Sequence, residues 1–148
     1  MSTPKILPIA ATHQVRDHCL CLAVQRTART LARRFDDAMR SLDLTHGQFS
    51  LLMSLNRPEP PSIGDVAQFL AMDRTTLTAN IKPLERRGLL KVTVDKQDRR
   101  SRRLALTAAG HALLIQALPV WKKTHASLDK LLIDQKPRDL RKVLALLS

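Results

Sequence analysis

Residues 73–107 read DRTTLTANIKPLERRGLLKVTVDKQDRRSRRLALT, and the fold turns on this stretch. Asp73 is a helix N-cap type. Leu77, Ile81 and Leu84 behind it fall on one face at helical spacing. Gly88 stands where such a helix needs a left-handed closing residue. Beyond it the period changes. Leu90 to Val94 is short and β-branched, a polar loop runs from Asp95 to Arg102, and Leu104-Ala105-Leu106 supplies a returning strand. The stretch therefore predicts a helix followed directly by a hairpin.

The outer face of this helix carries its chemistry. At 100° per residue, Thr75, Ala79, Lys82 and Arg86 lie opposite the apolar face, with Thr76 and Thr78 beside them and Arg74 at the start. Small side chains let a backbone approach base edges in the major groove, and hydroxyls and cations bond bases or phosphates there. From Arg74 to Arg103, ten Lys or Arg stand against Glu85, Asp95 and Asp98, so 30 residues carry +7 of the formal +12. The densest run, Asp98-Arg99-Arg100-Ser101-Arg102-Arg103, falls at the tip of the expected hairpin. Alone, such a run is a solvated stretch. Behind a capped polar helix, it is suited to the minor groove, with Asp98 holding one arginine through a charge-assisted bond. The candidate DNA-binding residues are Arg74, Thr75, Thr76, Thr78, Ala79, Lys82, Arg86, Asp98, Arg99 and Arg100.

Upstream, Thr45-His46-Gly47-Gln48 has the capping-box form, with Leu44 and Phe49 placed as a hydrophobic staple. A helix from His46 to about Leu55 follows and ends at Pro58, Pro60 and Pro61. Ser62-Ile63-Gly64-Asp65 opens another, with Ile63, Val66, Phe69 and Leu70 at helical spacing. Thr107 caps a long helix downstream. Pro83 and Pro119 lie inside helices and are expected to kink them.

These residues resemble the MarR family of transcriptional regulators. The resemblance rests on Asp73-Arg74-Thr75-Thr76-Leu77 through Leu84-Glu85-Arg86-Arg87-Gly88-Leu89, then Asp95-x-x-Asp98-x-Arg100, then Leu106-Thr107-x-x-Gly110. It runs from about Cys19 to about Leu132. It implies an obligate homodimer with one winged helix-turn-helix per subunit and a pseudo-palindromic operator in double-stranded DNA. It also implies repression relieved by a small-molecule effector or by thiol oxidation.

The flanks suit a dimer on independent grounds. A helix from Gln14 to Ser41 would measure about 42 Å, too long for a lone small core. It carries a stripe of Val24, Ala28, Leu31, Phe35, Ala38 and Leu42, and Cys19 to Val24 is apolar all round. Leu114, Leu118, Trp121, His125, Leu128 and Leu132 alternate by four and three, a coiled-coil-like seam. Leu140, Val143, Leu144 and Leu147 mark a last amphipathic helix. The expected fold is mainly α with a small β-hairpin wing, as one domain over 1–148. Its winged helix-turn-helix core spans 45–106, and its N- and C-terminal dimerisation helices span 12–42 and 107–148.

Cys19 and Cys21 are the chain's two cysteines. On one continuous helix they would point about 200° apart, out of reach of a disulfide. In the organic-peroxide-sensing branch of the resembled family, a reactive cysteine sits in the first helix, and Cys21 falls at that spacing. That branch also uses tyrosines and a C-terminal cysteine, and neither is present here. Cys19 and Cys21 are the candidate effector or redox residues, against the plainer reading of small buried hydrophobes. His13, His18, Cys19 and Cys21 match no closed zinc spacing, so no metal or cofactor is expected. No triad or paired-carboxylate spacing suggests an enzyme. No apolar run approaches the roughly 20 residues of a membrane span, and Met1 to Ala10 lacks a secretory signal's apolar block. The expectation is cytoplasmic, without membrane. The competing readings are an architectural DNA binder and a protein-interaction scaffold.

Overall fold

In a computed structural model, residues 6–132, 134 and 136–148 are described. Among them the elements run α1 (Ile9–His18), α2 (Leu20–Met39), a 3₁₀ turn (Arg40–Leu42), α3 (His46–Ser54), α4 (Ile63–Phe69) and α5 (Arg74–Arg86). The chain continues with β1 (Leu90–Val94), β2 (Arg102–Leu106), α6 (Ala108–Leu131) and α7 (Pro137–Ala145). The order is helices, hairpin, helices, as the sequence implies.

Each core helix begins where its cap predicts. Thr45 and Ser62 form complete capping boxes with Gln48 and Asp65. Asp73 accepts the Thr76 N–H, and Thr107 accepts the Gly110 N–H. These contacts satisfy donors that a helix start leaves unpaired. Both α5 and α6 run on as single helices through Pro83 and Pro119. Gly88, with φ of 69°, closes α5.

The core gathers Phe35 and Met39 of α2, Leu51 and Leu52 of α3, Val66 of α4, and Leu77, Ile81 and Leu84 of α5. Leu90 and Leu104 of the hairpin and Leu114 and Ala117 of α6 complete it. The expected inward face of α5 is therefore the buried one. The two strands pair antiparallel with Leu90 opposite Leu106 and Val94 opposite Arg102, so the second strand begins two residues earlier than Leu104.

The long first helix is corrected. In place of one helix from Gln14 to Ser41, the chain breaks at Cys19, whose φ of −74° and ψ of 103° are extended. The Cys19 sulfur accepts the Leu22 N–H at 3.4 Å and so acts as the N-cap of α2. The two cysteines thus do not share one helix, and the 200° separation does not describe them.

Part of the α6 seam packs within the chain. Leu114 is buried, and Trp121 and His125 pack within the chain. Phe35 lies 6.4 Å from His125, Phe49 stacks on Trp121 at 6.4 Å, and His46 sits 5.1 Å from Phe35. Periodicity identified the buried face but not the helices it meets. Only the C-terminal part of the α2 stripe joins this core, because Val24 and Leu31 remain exposed.

Candidate nucleic-acid interface

The helix-turn-helix is α4, the turn Leu70–Asp73, and α5. The turn is tightened by Ala71, whose φ of 53° is left-handed, and by the Met72 N–H donating to the Ala67 carbonyl at 2.9 Å. This is a helix-closing motif that usually holds glycine. No glycine signals it in the sequence, so the reading of the sequence missed it.

On α5, Arg74, Thr75, Thr76, Thr78, Ala79, Lys82 and Arg86 are all exposed. Their hydroxyls are not equivalent. Thr76 Oγ1 donates to Asp73 at 2.7 Å, and Thr78 Oγ1 donates to the Arg74 carbonyl at 2.8 Å. Both keep oxygen lone pairs and a methyl free, but their donor hydrogens are engaged. The Thr75 hydroxyl has no partner among the described residues. The Arg74 guanidinium lies across Gly64 at the start of α4. The two N–H and O–H bonds from Thr76 hold the Asp73 carboxyl below the ordinary carboxylate range.

The wing is knitted by two aspartates. Asp95 accepts the Gln97 N–H at 2.8 Å, and Asp98 accepts the Arg100 N–H at 3.0 Å. The expected pairing of Asp98 with an arginine side chain is therefore corrected, because Asp98 binds backbone instead. The wing's ion pair joins Asp95 Oδ2 to Arg103 Nε at 2.5 Å. A pair eight residues apart leaves no local signature. The Gln97 N–H and then Arg103 hold the Asp95 carboxyl below its ordinary range. At the tip, Arg99 and Arg100 are exposed, and their guanidinium groups have no partner among the described residues.

One joint links α5, the hairpin and α6. Thr107 Oγ1 donates to the Gly88 carbonyl at 2.5 Å and accepts the Gly110 N–H at 3.0 Å. Gly110 lies so close to the Leu89 carbonyl that no side chain fits there. This is the physical content of the Leu-Thr-x-x-Gly motif.

Cys19 is half-buried at its cap. Cys21 is exposed, with the Gln25 amide donating to its sulfur at 3.4 Å. It stands 14 residues before buried Phe35, about 21 Å along the helix. The core of this chain therefore does not bury Cys21, contrary to the plainer reading of a small buried hydrophobe. No group of three or more His, Cys, Asp or Glu that could hold a metal occurs among the described residues. An apolar cleft of about 290 Å³ is lined by Phe49, Ser50, Met53, Ser54, Phe69, Leu118 and Trp121.

The MarR family model matches residues 44–101. The crystal structure of the Mycobacterium tuberculosis transcriptional regulator MosR in complex with DNA is 32% identical. The match covers 87% of this chain and 93% of that one, with a TM-score of 0.74. This chain belongs to the MarR family. The MarR-family likeness extends to the transcriptional repressor CouR of Rhodococcus jostii, solved on a 23-mer DNA duplex. It is 26% identical, with 97% and 96% of the two chains covered and a TM-score of 0.73. The transcriptional activatory protein BadR of Rhodopseudomonas palustris is 34% identical over 104 residues, 68% of this chain; the match spans 59% of BadR's own length. The MarR-family match thus contains the helix-turn-helix and the wing tip and stops short of Arg103, Thr107 and Gly110.

Proposed function

We propose that the protein is a sequence-specific DNA-binding regulator of transcription. It acts in the cytoplasm as a homodimer on a pseudo-palindromic operator, without a catalytic step of its own. The observation that carries this reading is an exposed polar and basic face on α5 followed by an exposed arginine tip, on a chain similar over most of its length to a regulator solved on DNA. In this reading α5 enters the major groove. Thr75, Lys82 and Arg86 meet bases or phosphates, Thr76 and Thr78 offer acceptors and methyls, and Ala79 allows close approach. Arg99 and Arg100 enter the minor groove.

Dimerisation is supported by the exposed apolar side chains Ile9, Val15, Leu20 and Val24 near the N-terminus, and Leu140, Val143, Leu144 and Leu147 near the C-terminus. Monomeric soluble proteins rarely leave such patches uncovered. The regulator is a repressor, released by a small apolar ligand in the cleft between Phe49, Phe69 and Trp121 or by thiol modification at Cys19 or Cys21. With α2 exposed around Cys21, such modification acts through the dimer contact rather than through the core of one chain.

The test is affinity for an operator selected from random DNA, against unselected DNA, over a salt series. A specific regulator prefers its operator by about 10³-fold or more. A ratio near one favours the architectural reading. Absence of binding to any duplex favours a scaffold.

A further inference from the structure

Arg103 lies on β2, opposite Thr93, and makes two divergent contacts. Its Nε donates to Asp95 Oδ2 at 2.5 Å, and its Nη1 donates to the Pro60 carbonyl at 2.8 Å. The first partner belongs to the hairpin. The second belongs to the proline-stiffened link between α3 and α4. Two backbone contacts accompany it: a β-bridge from Arg103 to Ser62, and the Leu104 N–H donating to the Pro61 carbonyl at 3.0 Å. Asp95 is one of two buried polar residues among those described, and its other oxygen closes the wing loop through Gln97. Asp65, the capping carboxylate of α4, is also close enough to feel the Arg103 charge.

A two-stranded hairpin is marginal by itself. Here its base is pinned to the segment that leads into the helix-turn-helix. Only a guanidinium spans the two acceptors, because its donors diverge in a fixed plane, whereas an ammonium is a single point.

We infer that Arg103 is a positioning residue, which sets the attitude of the Arg99–Arg100 tip through Asp95 and the Pro60 carbonyl and acts on DNA through that tip. This rests on the DNA-binding reading above.

The experiment uses the full chain and an operator selected with wild type, and reads affinity together with hydroxyl-radical protection of the minor groove. Asp95→Asn removes a negative charge, which by charge alone tightens binding to DNA. The clamp demands the opposite: Asp95→Asn and Arg103→Lys each weaken operator binding about tenfold and lose the wing's minor-groove protection, while protection at the major groove persists. In a chain carrying Arg99→Ala and Arg100→Ala, the same two substitutions change affinity by less than about twofold, since the tip they position is gone. Thermal unfolding checks that each variant folds, and where Asp95→Asn does not, Arg103→Lys and Arg103→Gln make the same comparison. The inference is overturned if Asp95→Asn binds as tightly as wild type while Arg103→Gln binds more weakly, because Arg103 then touches phosphate itself. Full additivity in the tip-less chain overturns it as well. Wild type that prefers no selected operator overturns the DNA-binding reading, and the inference falls with it; a preserved wild-type preference with an unaffected Asp95→Asn overturns the inference alone.

Discussion

A Cβ built on Gly110 lands 2.0 Å from the Leu89 carbonyl oxygen, a backbone atom that cannot turn aside. Gly110→Ala must therefore push α6 away from the end of α5, at a cost of about 1–3 kcal/mol. Thr107→Val keeps the shape but removes the bonds to Gly88 and Gly110, and costs about 1–2 kcal/mol. Urea unfolding at one fixed protein concentration reads both. His46 gives a pH dependence. Burial pushes its imidazole below the ordinary value of 6.5, with the Asp36 charge opposing. The folded ring binds its proton less tightly than the unfolded chain does. Its contribution to stability is therefore complete above about pH 6.5 and is lost as the pH falls below it. Between about pH 7 and about pH 5.5, His46→Gln should lose less stability than wild type. An equal loss would mean that other groups set the acid limb.

At the scale of elements, the turn before α5 holds Ala71 in a left-handed conformation that costs an L-residue about 1 kcal/mol. Ala71→Gly is expected to raise stability by up to about 1 kcal/mol, read as a higher unfolding temperature with operator affinity unchanged. A fall in stability would mean that the entropy lost by the glycine outweighs the strain released. The helices of the core were legible because their starts are written locally: Thr45, Ser62, Asp73 and Thr107 each cap within three residues of themselves. The break at Cys19 was not legible. Sulfur is a weak acceptor, and Cys19 to Val24 shows no interruption in its apolar character. The Asp95–Arg103 pair escaped for a different reason: of the two aspartates in the loop, Asp98 stands next to the arginines, but the strand register brings Arg103 to Asp95. The seam from Leu114 to Leu132 shows the general limit, since a 4-3 spacing marks a face to be buried without naming what buries it.

For the whole molecule, the exposed apolar residues of α1, α2 and α7 predict a symmetric homodimer that buries more than about 2,000 Å² in total. A monomeric mass by light scattering at micromolar concentration is the result that would refute it. The dimer then sets two α5 helices about one DNA turn apart, some 34–36 Å. The charge of +12 makes operator binding steeply dependent on salt. Arg100→Ala should weaken binding by about 1–3 kcal/mol if the tip reads the groove. Equal affinity for the variant at several salt concentrations would remove the wing from the interface.

The joint at Thr107 has a mechanical side. Gly88, Leu89 and Gly110 meet there without a flexible spacer, so the end of α5 and the start of the 24-residue α6 are tied at one point. A lever of that length is about 36 Å long, and a tilt of roughly 5° about its far end sweeps the near end by about 3 Å. That stroke is close to the roughly 3.4 Å rise of one base step. On the DNA-binding reading proposed above, a tilt of α6 that this joint passes to α5 is expected to shift α5 by about one base step and so to lower operator affinity.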